Sequence, residues 1–346
     1  MNCSFEEVPK DTTNSILWRT VTASRPAILA RRKKRDRDFI QKGGVRKPSR
    51  DKPGLSFAGV LIVIERTLLH DFMAAYPAQP ATAFWRAIEI GALVRHGLPN
   101  GIGLDFGCGD GILTDILLRH AGPRHLIGID IDPLEIDAAR RFPFYERLHH
   151  SPDGSIPEAA GSLDFALSNS VLEHVDDLDS ALSEIGRVLR RGARFLFTVP
   201  APAFRDLLAG SLLPGIDREA YLATLDRRIA HRNYLDAPAW TAACAAHGLR
   251  VEACETYLDG RQVRRWETLS RMTGGLLYAV MGQRSRPIEI QRHLGLRDPA
   301  RHRQWPMPIA RFLGNVAALG VDILPAHAAP LAYDDAACLL VVGTRV

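Results

Sequence analysis

The chain predicts an α/β fold in which strands alternate with helices around a mostly parallel sheet. Three features support this prediction. A glycine-rich turn joins an apolar strand to a helix near residue 105, further pairs of strand and helix follow up to residue 258, and an apolar strand ends the chain. The 346 residues, 46% of them apolar, suffice for one large domain or two modest ones.

The glycine-rich turn spans residues 104–111 and reads Leu-Asp-Phe-Gly-Cys-Gly-Asp-Gly. Its three glycines permit a sharp turn and leave the space of a ligand free of side chains. Apolar residues on one stripe then predict a helix from Ile112 to His120, which Gly122-Pro123 ends. This order of strand, turn and helix predicts a cradle for a ligand.

The spacing of the glycines indicates which ligand. A dinucleotide fingerprint reads G-x-G-x-x-G, whereas here the glycines alternate and Asp105 precedes them. A carboxylate does not suit a pyrophosphate, but S-adenosylmethionine (SAM) carries an ammonium, a carboxylate and a sulfonium and no phosphate. The octet therefore resembles motif I of class I SAM-dependent methyltransferases, with Asp105 suited to the ammonium and the helix amides to the carboxylate. The alternative is a plain glycine turn in another Rossmann-like domain.

The second strand, residues 126–130, ends in an acid about 20 residues beyond the glycine turn, where a ribose needs a bidentate acceptor. Asp130 is that acid. Asp132 as the N-cap, Pro133 at the first helical position and Glu135 at the capping-box position predict that a helix follows at once.

The later elements follow the same alternation. A strand begins at Leu163, and the helix after it is predicted to end at Gly192, after Arg190 and Arg191. Residues 195–200 predict a fifth strand, 236–248 a helix and 249–258 a sixth strand. The apolar residues 337–343 predict a last strand that returns antiparallel into the sheet.

In the stretches LDFGCGDG, GIDIDP, LDFALSNSVLEHV and RVLRRGARFLFTVP, the chain resembles the methyltransferase group often called type 11, in order from about residue 100 to 258. The resemblance implies a Rossmann-like sheet of seven strands with an antiparallel last strand, with SAM across the carboxyl ends of the central strands. It implies methyl transfer to a nucleophile held against the sulfonium. The residues that it places at the cofactor are Asp105, Gly107, Cys108, Gly109, Gly111, Asp130, Ile131, Asp153 and Asn169.

The charge distribution predicts four regions. Residues 25–52 hold 12 basic and 3 acidic residues, so residues 1–54 are predicted to be a disordered arm that either contacts an anionic partner or is simply solvated. Residues 55–100 are expected to form a helical cap, and 101–258 with 336–346 the SAM-binding domain. Residues 259–335 are predicted to be a helical insertion whose stretch 261–303 carries 10 arginines against 3 acids. It is either a lid, a basic membrane or partner face, or a hairpin that only packs.

The acceptor side offers four candidate residues. A helix over residues 76–97 is expected to cover the pocket, which places Tyr76 near the acceptor; Trp85 on the same helix is more simply a packed residue. His174 and His231 are the candidate general bases, and for His174 the alternative is that it fixes the loop by hydrogen bonds. Tyr234 lies on a segment that contributes to the acceptor side in the family.

No metal is expected at this site. Metal-dependent relatives, such as the ubiquinone-pathway O-methyltransferases, place a glutamate three residues before a Glu-His pair, and this chain has Ser170 there. Activity is therefore predicted to persist in EDTA. The Asp/Asn-Pro-Pro-Tyr and Pro-Cys motifs of base methylation are missing too, so a nucleic-acid substrate is not expected.

The function predicted from these residues is methyl transfer from SAM to an oxygen or nitrogen nucleophile of a small-molecule, glycan or lipid-linked acceptor. The alternative is a non-catalytic SAM-binding partner or scaffold subunit. Five cysteines without paired spacing favour a reduced, cytoplasmic location. The apolar run 58–64 is too short to span a bilayer, so at most a peripheral contact with an anionic membrane is expected.

Overall fold

A computed structural model of the chain describes residues 66–211, 217–229, 231–275, 304–321 and 333–346. Its strands are β1 (Ile102–Phe106), β2 (His125–Asp130), β3 (Tyr145–His150), β4 (Leu163–Asn169), β5 (Leu189–Pro200), β6 (Leu249–Asp259) and β7 (Ala336–Arg345). Its helices are α1 (Arg66–Ala75), α2 (Pro80–His96), α3 (Ile112–Ala121), α4 (Pro133–Ala139), α5 (Leu178–Val188), α6 (Phe204–Leu207), α7 (Arg218–Ile229), α8 (Ala237–Ala246), α9 (Gly260–Ser270) and α10 (Met307–Ala318).

The seven strands form one sheet in the order β3-β2-β1-β4-β5-β7-β6. Strands β1 to β5 pair in parallel, and β7 is antiparallel to both β5 and β6. The predicted fold class is therefore confirmed, including the returning last strand. The order reverses between β1 and β4, and at this switch point the carboxyl ends of open parallel sheets form a crevice.

The sheet is buried on both faces, as its continuous apolar strands require. On one face its apolar residues pack with α1, α2, α3, α9 and α10, and on the other with α5 and α8. The alternating pairs Phe165 with Leu167 and Leu104 with Phe106 contribute to opposite faces. The core thus leaves the carboxyl edge of the strands as the place for polar residues.

The helix predicted over residues 76–97 begins later, at Pro80. Tyr76 to Gln79 form a turn after α1, in which Ala78 has a φ of 62° and Pro80 sits at the helix start. Pro77 in the turn and Pro80 at the first helical position limit where the helix can begin. The first part of the expected cap, residues 55–65, lies outside the described residues.

The prediction that Gly192 ends the fifth helix is wrong. Helix α5 ends at Val188, and Leu189 already pairs with Leu163 in the sheet. The next registered pair is Phe165 with Arg194, so residues between Leu189 and Arg194 bulge from the strand, with Gly192 at a φ of 79°. Arg190 pairs with Asp164 and not with the helix end.

Two further expectations concern charge and membrane contact. The arm of residues 1–54, the apolar run 58–64 and most of the arginine-rich stretch lie outside the described residues. Within the described ranges, no helix combines the length and the apolar character needed to cross a bilayer. Four cysteines in these ranges, 108, 244, 254 and 338, are buried free thiols.

Candidate active site

A cleft of about 450 Å³ opens at the carboxyl ends of β1, β2 and β4. This volume is within the range of about 300–1,000 Å³ found for small-molecule sites. Its wall runs from the glycine turn through the end of β2 to the turn after β4. The lining residues used below are Gly107, Asp130, Ile131, Asp153, Val171 and His174.

At two of the three positions in the glycine turn, neighbouring side chains leave no room for a residue larger than glycine. Gly107, Gly109 and Gly111 have φ values of 79°, 53° and 77°, a region that side chains rarely adopt. A Cβ on Gly107 would lie 2.3 Å from Val171, and one on Gly111 would lie 2.7 Å from Phe142. A side chain at either of these two positions would therefore clash with a neighbouring side chain of the protein, whereas the sequence predicts a clash with the ligand. Gly109 has no such neighbour, since the nearest atom to its Cβ would be 3.8 Å away.

Asp130 holds the glycine turn in place. One of its carboxylate oxygens accepts from the amide of Gly109 at 2.9 Å, and the other accepts from the amide of Asp132 at 2.9 Å. Asp132 in turn caps α4 by accepting from Leu134. A carboxylate has about four acceptor positions, so Asp130 can fix the turn and accept from a ribose at the same time.

Asp105 lies under the turn and is 2% exposed. The same carboxylate oxygen accepts from the hydroxyls of Thr114 at 2.7 Å and Tyr145 at 2.6 Å. Burial raises the pKa of this carboxyl above its ordinary value. The structure thus gives Asp105 an internal positioning role, and its direct contact with a ligand ammonium stays a prediction. Cys108, also buried, donates its amide to Ile129 at 3.0 Å.

Asn169 ends β4 beside the turn and is 8% exposed. Neither its amide nitrogen nor its carbonyl oxygen has a hydrogen-bond partner among the described residues. Buried polar groups are nearly always paired, so this amide has capacity for a further partner, and its contact with a cofactor stays a prediction. The cleft wall has the exposed Ile131 and Asp153, and Asp153 accepts from Ser151 and Ser155. A group with an apolar base, hydroxyls and a charged amino-acid end, as SAM has, fits this set.

The rings of the two candidate bases lie close together, and one of them, His174, lines the cleft. His174 follows β4 and lines the cleft, and His231 follows α7, yet their rings lie 5.1 Å apart. Glu173, 1% exposed, stands between them. Its Oε1 is 3.9 Å from Nε2 of His174 and 4.0 Å from Nε2 of His231. We call these three residues the Glu173 cluster.

Sequence reasoning missed Glu173 and Glu89. Glu89 is buried on α2 and accepts from the hydroxyls of Ser170 and Thr198, besides its ion pair with Arg86. The signal for Glu89 was present, since it is the one acid within the apolar run 87–94. Glu173 directly precedes a candidate base, but its burial depends on residues from distant segments.

The remaining candidates have mixed positions. Tyr76 stacks on Phe72 with ring centroids 6.0 Å apart. Trp85 packs edge-on against Phe204 at 5.6 Å and Trp266 at 5.2 Å, which supports the packed alternative for this residue. The hydroxyl of Tyr234 lies 3.0 Å from Nδ1 of His231, so this tyrosine belongs to the surroundings of the Glu173 cluster.

Comparisons with known proteins find a matching family model and several similar proteins. Residues 82–253 match the family model described as a methyltransferase domain. A probable S-adenosylmethionine-dependent methyltransferase of Mycolicibacterium smegmatis is 34% identical over 98 residues, 28% of this chain and 37% of that protein. The malonyl-[acyl-carrier protein] O-methyltransferase of Serratia marcescens is 35% identical over 125 residues, 34% of this chain and 46% of that protein.

The chain thus spans less than half the length of either relative. Among solved structures, geranyl diphosphate C-methyltransferase from Streptomyces coelicolor aligns with a TM-score of 0.45 at 15% identity, covering 84% of this chain and 89% of that one. The matched family model, the sheet order with its antiparallel seventh strand and the glycine turn at the cleft agree with one another. The chain therefore belongs to the class I SAM-dependent methyltransferases.

Proposed function

We propose that this protein transfers the methyl group of SAM to an oxygen or nitrogen nucleophile of a small-molecule, glycan or lipid-linked acceptor. One observation carries the proposal. The same cleft is lined by Asp130 and the exposed Ile131, after β2, and by His174, after β4. His174 is the member of the Glu173 cluster that reaches the cleft. A cofactor site thus faces a group of proton-accepting side chains.

The cofactor residues divide by chemistry. Asp130 would accept from the ribose hydroxyls, and Ile131 and Asp153 would meet the adenine end. The amide of Asn169 would bind the amino-acid end, beside the amides of the glycine turn. The assignments of Asp130, Ile131 and Asp153 follow their positions on the cleft wall, and that of Asn169 follows its unpaired amide at the end of β4.

The reaction itself needs little from side chains. Methyl transfer from a sulfonium is an in-line displacement, and alignment of the two reactants contributes on the order of 7–11 kcal/mol. A nucleophile that must lose a proton gains a further factor of about 100 to 10,000 from a positioned base. The Glu173 cluster is the group that the structure offers for this step.

The two imidazoles are not equivalent as bases. Burial lowers the pKa of His231 to about 3, so its ring is neutral at physiological pH but accepts a proton poorly. His174 is about two-fifths exposed and lines the cleft. Because His231 is a weak base alone, we assign activation of the nucleophile to the cluster as a unit, with His174 as its member in the cleft.

The cofactor assignment is tested by calorimetry with SAM and S-adenosylhomocysteine. We expect Asp130→Ala to lose about 1.5–3 kcal/mol of binding free energy, or about 10- to 150-fold in affinity, because a charged acceptor of the ribose is removed. Asp137→Ala is the matched control, since Asp137 is exposed on α4, close to Asp130 in the sequence. Asp130→Asn, which keeps the size of the side chain, guards against loss of the fold.

Absence of binding by the unchanged protein, or equal binding by Asp130→Ala, would contradict the assignment. The acceptor is then sought by comparing metabolites and lipids of cells with and without the gene, for pairs that differ by one methylene. SAM binding without any such pair would favour the non-catalytic alternative.

A further inference from the structure

We propose that Glu173, His174 and His231 form a site for one divalent transition-metal ion at the acceptor end of the cleft. This inference deepens the proposed function and rests on it, because the ion would bind the nucleophile of the acceptor. It departs from the metal-free site that the sequence predicts.

Three potential ligand atoms converge in the Glu173 cluster. One ligand atom of each residue lies within 4.8 Å of those of the other two. The distances from Glu173 Oε1 to the two imidazole nitrogens, 3.9 and 4.0 Å, are too long for hydrogen bonds. Atoms at these separations can surround a single cation, whose bonds to nitrogen and oxygen would be about 2.0–2.2 Å, after small shifts of the side chains.

The hydrogen bonds of His231 orient its ring as a metal ligand requires. The Tyr234 hydroxyl donates to Asp226 at 3.4 Å, so it can only accept from Nδ1 of His231, 3.0 Å away. In that tautomer Nε2 carries the lone pair and faces Glu173. Histidines that bind metals typically donate their other ring nitrogen in this way, which fixes the ring and raises its basicity.

Hydrogen bonds within the protein hold the two segments of the cluster together without a ligand. The carbonyl of Glu173 accepts from the amides of Arg232 at 2.7 Å and Asn233 at 3.1 Å. The side-chain amide of Asn233 donates to the carbonyls of Leu172 and Val175, both at 2.9 Å. Four hydrogen bonds thus tie the segment of His231 to the turn of Glu173 and His174.

The carboxyl of Glu173 also has capacity for a further partner. Glu173 Oε2 is buried without a hydrogen-bond partner in the part of the chain that the structure describes. Buried polar atoms are nearly always paired, and a cation bound by both oxygens of the carboxylate would give Oε2 its partner. The metal-free prediction relied on Ser170, but this hydroxyl donates to Glu89 at 2.7 Å, and the third ligand comes from His231, 61 residues further along.

The donor set indicates the kind of ion. Two imidazoles and one carboxylate suit zinc, iron, cobalt or manganese, whereas magnesium prefers oxygen ligands alone. Three protein ligands leave positions for other groups, and an acceptor hydroxyl bound there would lose its proton more readily. With the ion bound, the three side chains would hold the ion and the ion would activate the nucleophile, whose proton would pass to solvent; this replaces direct proton transfer to an imidazole.

The test measures metal binding directly. The full-length protein is stripped with EDTA, desalted and titrated with Co²⁺, followed by visible absorption, and with Zn²⁺ in competition with a chelating dye. We expect one ion per chain. Glu173→Gln and His231→Ala should weaken binding by at least about 100-fold, and Tyr234→Phe by the roughly 10- to 100-fold typical of residues that orient a ligand.

His149→Ala is the matched control, because His149 contacts Glu158 in another histidine–carboxylate pair, at 3.0 Å. Calorimetry with SAM separates the two proposals. Failure of Co²⁺ and Zn²⁺ to bind, or binding that His231→Ala and Tyr234→Phe leave unchanged, overturns the metal site. If SAM affinity persists in that case, the proposed function survives. Once an acceptor is known, loss of turnover in EDTA that returns with Zn²⁺ or Mn²⁺ would support the site further.

Discussion

At the scale of single residues, Glu173 lies in buried surroundings that favour its neutral form. Burial raises the pKa of its carboxyl to about 8, and the nearby Glu89 adds to this effect while Arg86 opposes it. The imidazoles of His174 and His231 face the same carboxyl. A residue kept at such a cost is typical of a functional site, where local stability is given up for chemistry.

Replacing Glu173 should therefore stabilise the metal-free protein. The folded-state pKa of about 8 exceeds the ordinary value of 4.5, so the carboxyl favours folding below pH 4.5 and loses this contribution as the pH rises towards 8. Glu173→Gln has no such loss. We expect the variant to gain up to about 1.4 kcal/mol per pH unit over the unchanged protein across this window.

The measurement is urea unfolding in EDTA at pH 5 and pH 8. Glu158→Gln is the opposite control, since hydrogen bonding to Arg147 lowers the pKa of the Glu158 carboxyl, and its loss should destabilise the protein at pH 8. A Glu173→Gln variant that is less stable than the unchanged protein at pH 8 would show that Glu173 is paired as an ion in the fold.

At the scale of elements, the contact of α5 with the end of α8 leaves no room for a side chain at Gly186. A Cβ there would lie 2.6 Å from the carbonyl oxygen of His247, which is backbone and cannot rotate away. Alanine gains up to about 1 kcal/mol over glycine inside a helix. The overlap costs more, because overpacking typically costs about 1–3 kcal/mol.

We therefore expect Gly186→Ala to lower the free energy of unfolding by about 1–3 kcal/mol in urea titrations. Ser183→Ala, on the exposed side of the same helix, should change it by less than about 0.5 kcal/mol. A stabilised Gly186→Ala would mean that α5 and α8 separate easily.

At the scale of the whole molecule, the described part of the predicted insertion has two different faces. Helix α10 packs against the fold through small residues, among them Ala310, Gly314 and Ala317, while large apolar side chains are exposed. The exposed ones on this helix and directly after it are Met307, Ile309, Phe312, Val316 and Leu319. Together with the arginine-rich stretch before it, this face supports the prediction of a surface that meets an anionic membrane.

Arg284, Arg286 and Arg292 lie outside the described residues, so their contribution stays a prediction. Attraction to an anionic surface contributes about 1 kcal/mol per basic residue and is screened over roughly 10 Å at 0.1 M salt. Replacing all three by glutamine should reduce sedimentation with anionic vesicles at low salt and leave SAM affinity unchanged.

Arg140, Arg190 and Arg250, replaced together, are the charge-matched control, because each is exposed and paired with an acid elsewhere on the surface. A tenfold loss of SAM affinity with unchanged vesicle binding would instead place the stretch at the cofactor site or in folding.

Local sequence patterns predict the fold and the cofactor side of the site. The alternation of strands and helices, the glycine turn, the cap at Asp132 and the acid at Asp130 depend on neighbours within a few residues, so the sequence predicts them. The predicted end of α5 was wrong because arginines followed by a glycine suit both a helix end and a bulged strand. Only the pairing with β4 distinguishes these two structures.

The sequence by itself determined the family, the cofactor and the position of the cleft, because these follow from short motifs in a fixed order. The Glu173 cluster was decided by the tertiary structure. His174 and His231 come from segments 57 residues apart, and hydrogen bonds from Arg232 and Asn233 bring them together around a carboxyl that the fold buries. Burial and long-range contact set the chemistry of these side chains, and neither is present in the order of residues along the chain.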